Sequence, residues 1–420
     1  MDSGPVTVDR SHSTAYSPQS TDTLDTLASL VEKSLVTVEV GGDAGAGDDE
    51  PRYRLLEPVR QYAAARLTES GEEEGIRERH AVHLLALARD ASARLAGPTQ
   101  NIWLDRLERE HDNLRAALRW AVERRNGGLG LRLVGALWPF WRVRGHHQEG
   151  RRWAAAVLDL PAAPEDAGLR LDALLAAGHL AYLQGDNVTA RAQAEAGLAR
   201  ATDAGDRGRE AKFLVQIGHV AVEERDFAAA ERLYRSAVAL ERALPGQHGL
   251  GTALGSLGHG LVRAGALERA RPHLEEALAF YRATGDRGNG NTTLLFLGQL
   301  AYERRDAATA RAQLNESLTG ALALGDRRTA MLCLVGLAAL AAPAAPASAL
   351  RLAAFIAAAA ARSNLALLPA WRAWLDRTSA AARGSLDQAA AITAWAEGAN
   401  FSLEEAIAEV RLPDGPPGEP

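Results

Sequence analysis

The sequence predicts a mainly α protein: an α-solenoid of stacked helical hairpins, preceded by a small helix–hairpin–helix segment and a helical linker. Gly178, Gly218, Gly258 and Gly298 recur every forty residues, with Gly336 two residues short of the next step. Ala190, Ala230, Ala270 and Ala310 follow each glycine by twelve residues, and Leu198, Val238, Leu278 and Leu318 follow by twenty. Registers held in phase at one period are the mark of a repeat array. Within each period two stretches of helical spacing flank a short turn, as 176–184 and 187–202 do about Gly185-Asp186, so the unit is a pair of helices.

Composition narrows the function classes. The 420 residues are 47% hydrophobic and 24% charged, which excludes collagen-like, wholly disordered and disulfide-scaffold proteins. With 47 Lys+Arg against 53 Asp+Glu, a formal charge of −6 supplies no general field for phosphates. The single cysteine, Cys333, lies in an apolar run and can form neither an intrachain disulfide nor a multi-cysteine metal site, which fits a reducing cytoplasm.

Taken in order, residues 1–20 are rich in Ser and Thr, lack the apolar block of a secretory signal and read as a disordered leader. Residues 21–72 form the helix–hairpin–helix segment, with a helix at 24–35, strands at 36–40 and 52–56 joined by the loop 41–49, and a second helix with Pro58 in its first turn running through Leu67. This is a winged-helix order, small enough that it should lean on the helices that follow. Residues 73–165 are a helical linker ending in a hairpin with Trp138, Phe140, Trp141 and Trp153. Trp138 and Trp141, three apart, share a helix face and should pack the core.

Residues 166–362 carry the repeats, four clear units over 170–324 and a weaker fifth through 361. Asp186, Asp226 and Asp306 stand where a side-chain oxygen can cap the second helix, while Gly205-Asp206, Gly285-Asp286 and Gly325-Asp326 give a left-handed stop and then the next cap. Ala266 occupies a cap position and should leave one helix end uncapped. The glycine of each first helix and the alanine of each second mark a crossing too close for larger side chains. The charge-free stretch 329–350 is long enough to span a membrane, but Pro343 and Pro346 interrupt it and its first half keeps the repeat phase, so it reads as repeat. Capping helices at 363–410 and a disordered, Pro- and Gly-rich tail at 411–420 close the chain.

The Gly and Ala positions resemble the tetratricopeptide signature, in a longer unit that lacks the early Trp. Other strings resemble a larger family: Leu30-Val31-Glu32-Lys33-Ser34-Leu35, the run from Tyr53 to Ala63, His111-Asp112-Asn113-Leu114-Arg115, Arg144-Gly145-His146 with Glu149-Gly150-Arg151-Arg152-Trp153, and Ala394-Trp395-Ala396-Glu397-Gly398 with Ser402 to Ile407. Together they are similar to the downstream half of the actinobacterial signal-transduction (STAND) NTPase regulators, the LuxR-type and AfsR-like transcriptional regulators. The resemblance implies a winged helix that relays nucleotide state, a repeat array that senses or binds, and flanking NTPase and helix-turn-helix domains for which this sequence shows no motif. The only lysines are Lys33 and Lys212, and neither sits in a phosphate-binding loop, so ATP is not supported.

His179, His219 and His259, followed by Gln299, share the register after the repeat glycine, which in the tetratricopeptide repeat faces the groove. Tyr182 and Tyr302 lie three residues beyond it, and Glu223, Arg263 and Glu303 one further. A groove offering aromatic, cationic and anionic contacts suits a protein or peptide partner; the same residues also fit plain packing or a solvated face. A metal ladder is disfavoured, because equivalent helices should lie on the order of 10 Å apart. A shared zinc needs each nitrogen at about 2 Å. His80 with His83, and Glu110-His111-Asp112, lack the remaining ligands of a metal site. No nucleophile elbow occurs and Cys333 is apolar in context, so no enzyme is indicated. The expectation is therefore a cytoplasmic, non-catalytic interaction or sensing module without cofactor or metal, bound to a protein or peptide, a small effector or the NTPase part of a regulator. The alternatives are a regulator touching DNA through its winged helix, whose loop is acidic and whose strands offer only Arg52 and Arg54, and a fragment of a split NTPase-regulator gene.

Overall fold

The computed structural model describes residues 18–39, 51–161, 163–362 and 367–411, which form twenty α-helices and one two-stranded sheet. Two compact units divide the chain at residues 78 and 79. In the first, α1 (Pro18–Glu32) leads into an antiparallel pair, β1 (Val36–Glu39) and β2 (Arg52–Leu55), in register from Val36 opposite Leu55 to Glu39 opposite Arg52; α2 (Glu57–Ser70) follows. The helix–hairpin–helix order is as the sequence predicts, but α1 begins at Pro18, so the last residues assigned to a leader are helical. It also ends at Glu32 rather than Leu35, because Ser34 takes a left-handed φ of 56° to turn into the strand. The loop 41–49 and residues 1–17 lie outside the described residues, as does the tail from 412. Val36 is the one fully buried hydrophobic side chain among the described residues of this unit.

The second unit begins within α3 (Glu73–Arg94) and continues through α4 (Gln100–Arg109), α5 (His111–Glu123), α6 (Gly127–Arg144) and α7 (His147–Leu158). Five hairpins follow: α8 (Ala167–Leu183) with α9 (Asn187–Asp203), α10 (Arg207–Glu223) with α11 (Phe227–Ala243), α12 (Leu250–Arg263) with α13 (Leu267–Thr284), α14 (Arg287–Glu303) with α15 (Ala307–Ala323), and α16 (Arg327–Ala341) with α17 (Pro346–Arg362). Three helices end the unit: α18 (Pro369–Gly384), α19 (Gln388–Ala399) and α20 (Leu403–Arg411). Each helix packs on its hairpin partner and on the next hairpin, and α6 with α7 packs on α8 as one more layer. Phe140 and Trp141 are buried in that layer; Trp138, expected beside them, is half-buried and sets its ring edge against His179.

The repeat signature acts at the crossings. A methyl group on Gly218 would lie 2.5 Å from the Tyr234 ring, and on Gly258 or Gly298 it would lie 2.6 and 2.7 Å from Leu274 and Leu314. Ala230, Ala270 and Ala310 on the second helices are buried as well. Ala230→Phe should therefore overpack a crossing and cost about 1–3 kcal/mol in a denaturant melt. A variant that melts like the wild type would remove that contact from the account.

The caps form as the sequence predicts. Asp186, Asp226 and Asp306 accept the backbone N–H of Thr189, Ala229 and Thr309 at 3.0, 2.9 and 3.1 Å, and Asp206, Asp286 and Asp326 do the same for their helices. Ala266 has the φ and ψ of a cap residue, −86° and 58°, but no side-chain acceptor. Ala266→Asp should add about 0.5–2 kcal/mol. A loss of stability would mean that the helix end is satisfied by other means.

The array curls until the segment before it touches its later repeats. Gln100 at the start of α4 accepts the backbone N–H of Gly288 at 3.0 Å, and Leu324 joins the core built by α3 to α8. Arg142 of α6 and Trp371 of α18 line the cavity on this inner face together with the repeats.

Candidate functional site

The predicted groove register lines an interior rather than an open face. His179, Tyr182, His219 and His259, from the first helices of three successive repeats, surround a cavity of about 170 Å³ shared with Arg142 of α6, Arg328 of α16 and Trp371 of α18. A second cavity of about 490 Å³ adjoins it, sharing Arg142, His179, His219, Thr252 and Asn289. The rings are closer than helix spacing alone predicts: His179 and His219 lie 6.3 Å apart between centroids. Tyr182 stacks on His219 at 5.2 Å. His259 stacks flat on Phe296 at 4.0 Å and lies nearly parallel to Trp371 at 6.5 Å.

Burial governs the charge of this interior. It pushes His219 down to about 4 and drives His179 and His259 well below the ordinary imidazole range, so all three are neutral at pH 7. The Tyr182 phenol is raised for the same reason. His219 Nε2 meets Ser256 Oγ at 3.0 Å, whereas His219 Nδ1 and His259 Nε2 are buried without a partner.

The remaining register residues form a second place, an outer cleft of about 360 Å³ under the first turns of α18. Glu223, Arg263, Gln299 and Glu303 line it with Trp374, which packs on Tyr302 at 5.0 Å. Burial raises the Glu223 carboxyl above its ordinary range, against the attraction of Arg263 and a backbone hydrogen bond from Ala370. Arg263 Nη1 stands 3.7 Å from Glu223 Oε1, too far for a hydrogen bond. Arg263 Nη1, Glu223 Oε2, Gln299 Oε1 and Trp374 Nε1 are all buried and unpartnered.

The comparisons with known proteins belong beside this geometry. A tetratricopeptide repeat family model matches residues 209–283. A winged helix-turn-helix domain model matches residues 3–68. Proteins named as HTH-type transcriptional regulators from Mycobacterium bovis and Mycobacterium tuberculosis are 39% identical over 136 residues, which is 32% of this chain and 14% of theirs. Among solved structures, BtubC (BKLC) from P. vanneervenii is 18% identical over 53% of this chain and 90% of its own, with a TM-score of 0.38. A kinesin light chain with near-identical repeats from Podosopora anserina is 15% identical over 45% of this chain and 93% of its own, with a TM-score of 0.34. The chain thus carries tetratricopeptide repeats and a winged helix-turn-helix match, and it shares sequence with a short part of proteins named as regulators.

Three features escaped the sequence. Trp371 and Trp374 close the groove but stand outside the forty-residue step, so no periodic signal pointed to them. Arg142 and Arg328 reach the cavity from outside the register. His111, weighed in the sequence with Glu110 and Asp112, instead meets Glu108 and His146, whose ligand-type atoms lie within 4.8 Å of one another. There His146 Nε2 bonds Glu108 at 3.1 Å, and Arg115 holds Glu149 through two hydrogen bonds of 2.8 and 2.6 Å beside His111. All of these except Glu108 come from the strings that carried the family resemblance. They tie α4, α5 and α7 together. Among the described residues no helix is long and apolar enough to cross a membrane, and 329–350 is divided between α16 and α17.

Proposed function

We propose that this chain is the non-catalytic interaction and sensing part of a cytoplasmic bacterial transcriptional regulator of the LuxR-type and AfsR-like kind, and that a peptide segment of a protein partner docks in the outer cleft. One observation carries the reading: four buried polar atoms, on Glu223, Arg263, Gln299 and Trp374, line the cleft with no hydrogen-bond partner, the Arg263–Glu223 contact at 3.7 Å being an ion pair alone. An unmade buried hydrogen bond costs about 1–3 kcal/mol, so such a cluster is expected where a ligand completes it. Peptide backbone, which offers N–H and C=O together, matches a mixed set of donors and acceptors. Tetratricopeptide repeats commonly bind proteins or peptides, which agrees.

The test is retention of a partner from the source organism's lysate on the immobilised protein, wild type against Arg263→Met with Gln299→Leu. A protein held by the wild type and lost from the variant supports the cleft; equal retention by both removes it. The winged helix-turn-helix match favours a second reading, contact with DNA. Against it, α1 carries no Lys or Arg, and on α2 Arg60 is paired with Glu57 at 2.6 Å and Arg66 with Glu69 at 2.8 Å.

A further inference from the structure

The inner cavity is lined by a cation whose side chain has no hydrogen-bond or salt-bridge partner. Arg142 lines both adjoining cavities; its backbone carbonyl meets His147 Nε2 at 3.0 Å, but its guanidinium makes no hydrogen bond or ion pair among the described residues. The acids around it are already engaged. Asp326 accepts from Thr329 N and Oγ1 at 3.0 and 2.8 Å, Asp172 is held twice by Arg209 at 2.8 and 2.7 Å, Glu241 accepts from Gly249 N at 2.9 Å, and Asp286 accepts from Asn289 N and Nδ2 at 3.1 and 2.7 Å. A guanidinium that lines a cavity without a salt-bridge partner is available to donate charge-assisted hydrogen bonds to an anionic ligand.

Two further atoms point the same way. His219 Nδ1 and His259 Nε2 are buried in this lining with no partner, and a neutral imidazole can donate to a ligand without adding charge. Beside them the wall turns apolar and flat, with His259 face to face on Phe296 and nearly parallel to Trp371. That wall lines the smaller cavity of about 170 Å³, and the adjoining cavity of about 490 Å³, which shares Arg142, His179 and His219 with it, extends the space into the range of small-molecule sites, about 300–1,000 Å³.

We infer that this cavity binds a small aromatic carboxylate, its carboxylate on Arg142 with hydrogen bonds from His219 or His259, and its ring against the Phe296, His259 and Trp371 wall. The inference deepens the sensing role proposed above and rests on it. The Arg142 guanidinium matches a carboxylate, and the aromatic wall matches a planar ring. A bare inorganic anion would leave that wall unused.

The experiment is calorimetric titration of the intact protein with benzoate, salicylate and indole-3-acetate, alongside neutral benzamide and inorganic phosphate. At least one carboxylate should bind, benzamide and phosphate should not bind measurably, and Arg142→Gln should weaken the carboxylate at least tenfold while Arg142→Lys retains part of the affinity. Phe296→Leu keeps the charge and guards against a misfolded arginine variant; it should weaken salicylate by severalfold. No binding by any of the three at millimolar concentration overturns the inference, as does phosphate binding as tightly as the carboxylates, or Arg142→Gln binding like the wild type. The outer cleft is read separately, by partner retention on the Arg263→Met, Gln299→Leu variant. Lost retention with absent carboxylate binding removes this inference alone, and carboxylate binding with unaltered retention removes only the cleft.

Discussion

Lowering the pH from 7 to 5 is expected to destabilise the repeat unit by several kcal/mol, well before carboxylates titrate. Burial holds His147 and His219 down to about 4, against an ordinary value of 6.5, and pushes His179 and His259 below the ordinary range as well. A histidine with a depressed folded pKa contributes its full share above 6.5, where both states are neutral. That share is lost as the pH falls from 6.5 towards 4, because the unfolded chain takes up the proton and the folded one does not. At about 1.4 kcal/mol per unit, each of His147 and His219 should cost about 2 kcal/mol at pH 5, or about 4 kcal/mol for the pair.

The carboxylates act lower on the scale. Glu149, held by Arg115 and His111 against the opposing effect of burial, and Glu108, held by His146, lie below the ordinary carboxylate range. Their contributions persist to more acid conditions and fade only as the pH falls below about 4.5. Denaturant melts at pH 7, 6 and 5 check the first window, with His219→Gln expected to flatten the slope by about one proton. A stability unchanged between pH 7 and 5 would mean that these imidazoles are solvated in the folded protein.

The second large effect is expected at Gly398. This residue of α19 lies against the backbone of α17, where an added methyl group would overlap the Arg351 carbonyl oxygen, Cα and carbonyl carbon at separations no real Cβ adopts. A side chain could move aside, but backbone in the middle of a helix cannot. Gly398→Ala should therefore exceed the usual overpacking range and cost about 3 kcal/mol or more. The loss should appear first as fraying of the C-terminal helices, because repeat stacks are stabilised by neighbouring contacts. Arg351 also binds Glu409 of α20 at 2.9 and 2.7 Å, so displacing α19 loosens α20 too. A Gly398→Ala protein that melts like the wild type would show that α19 does not dock on α17.

The array was legible because one constraint recurs. Close crossings draw Gly or Ala, and the turns draw a left-handed residue and then a cap, Gly205 with Asp206 or Gly325 with Asp326 but Arg225 with Asp226 and Arg305 with Asp306, so most turns announce themselves through residue type. The limits are just as physical. Gln100 reaching Gly288 and Trp371 reaching His259 are contacts made by superhelical curl and by a helix folding back, and no local pattern encodes either. For that reason the nine register residues separate into two places: His179, Tyr182, His219 and His259 inside, and Glu223, Arg263, Gln299, Tyr302 and Glu303 at the outer cleft or beneath its Trp374 edge. Arg142, the residue most informative about a ligand, belongs to a helix that the repeat period did not include.

Closure of the inner face by α18 underlies both proposed sites, and hydrogen–deuterium exchange on the intact protein measures it. The amides of α18 should exchange on the timescale of α12 and α14, and Trp371→Ala with Trp374→Ala should accelerate α18 while α12 and α14 keep their protection. If α18 exchanges within seconds in the wild type beside protected repeats, the groove is open and neither the cavity nor the cleft exists as described.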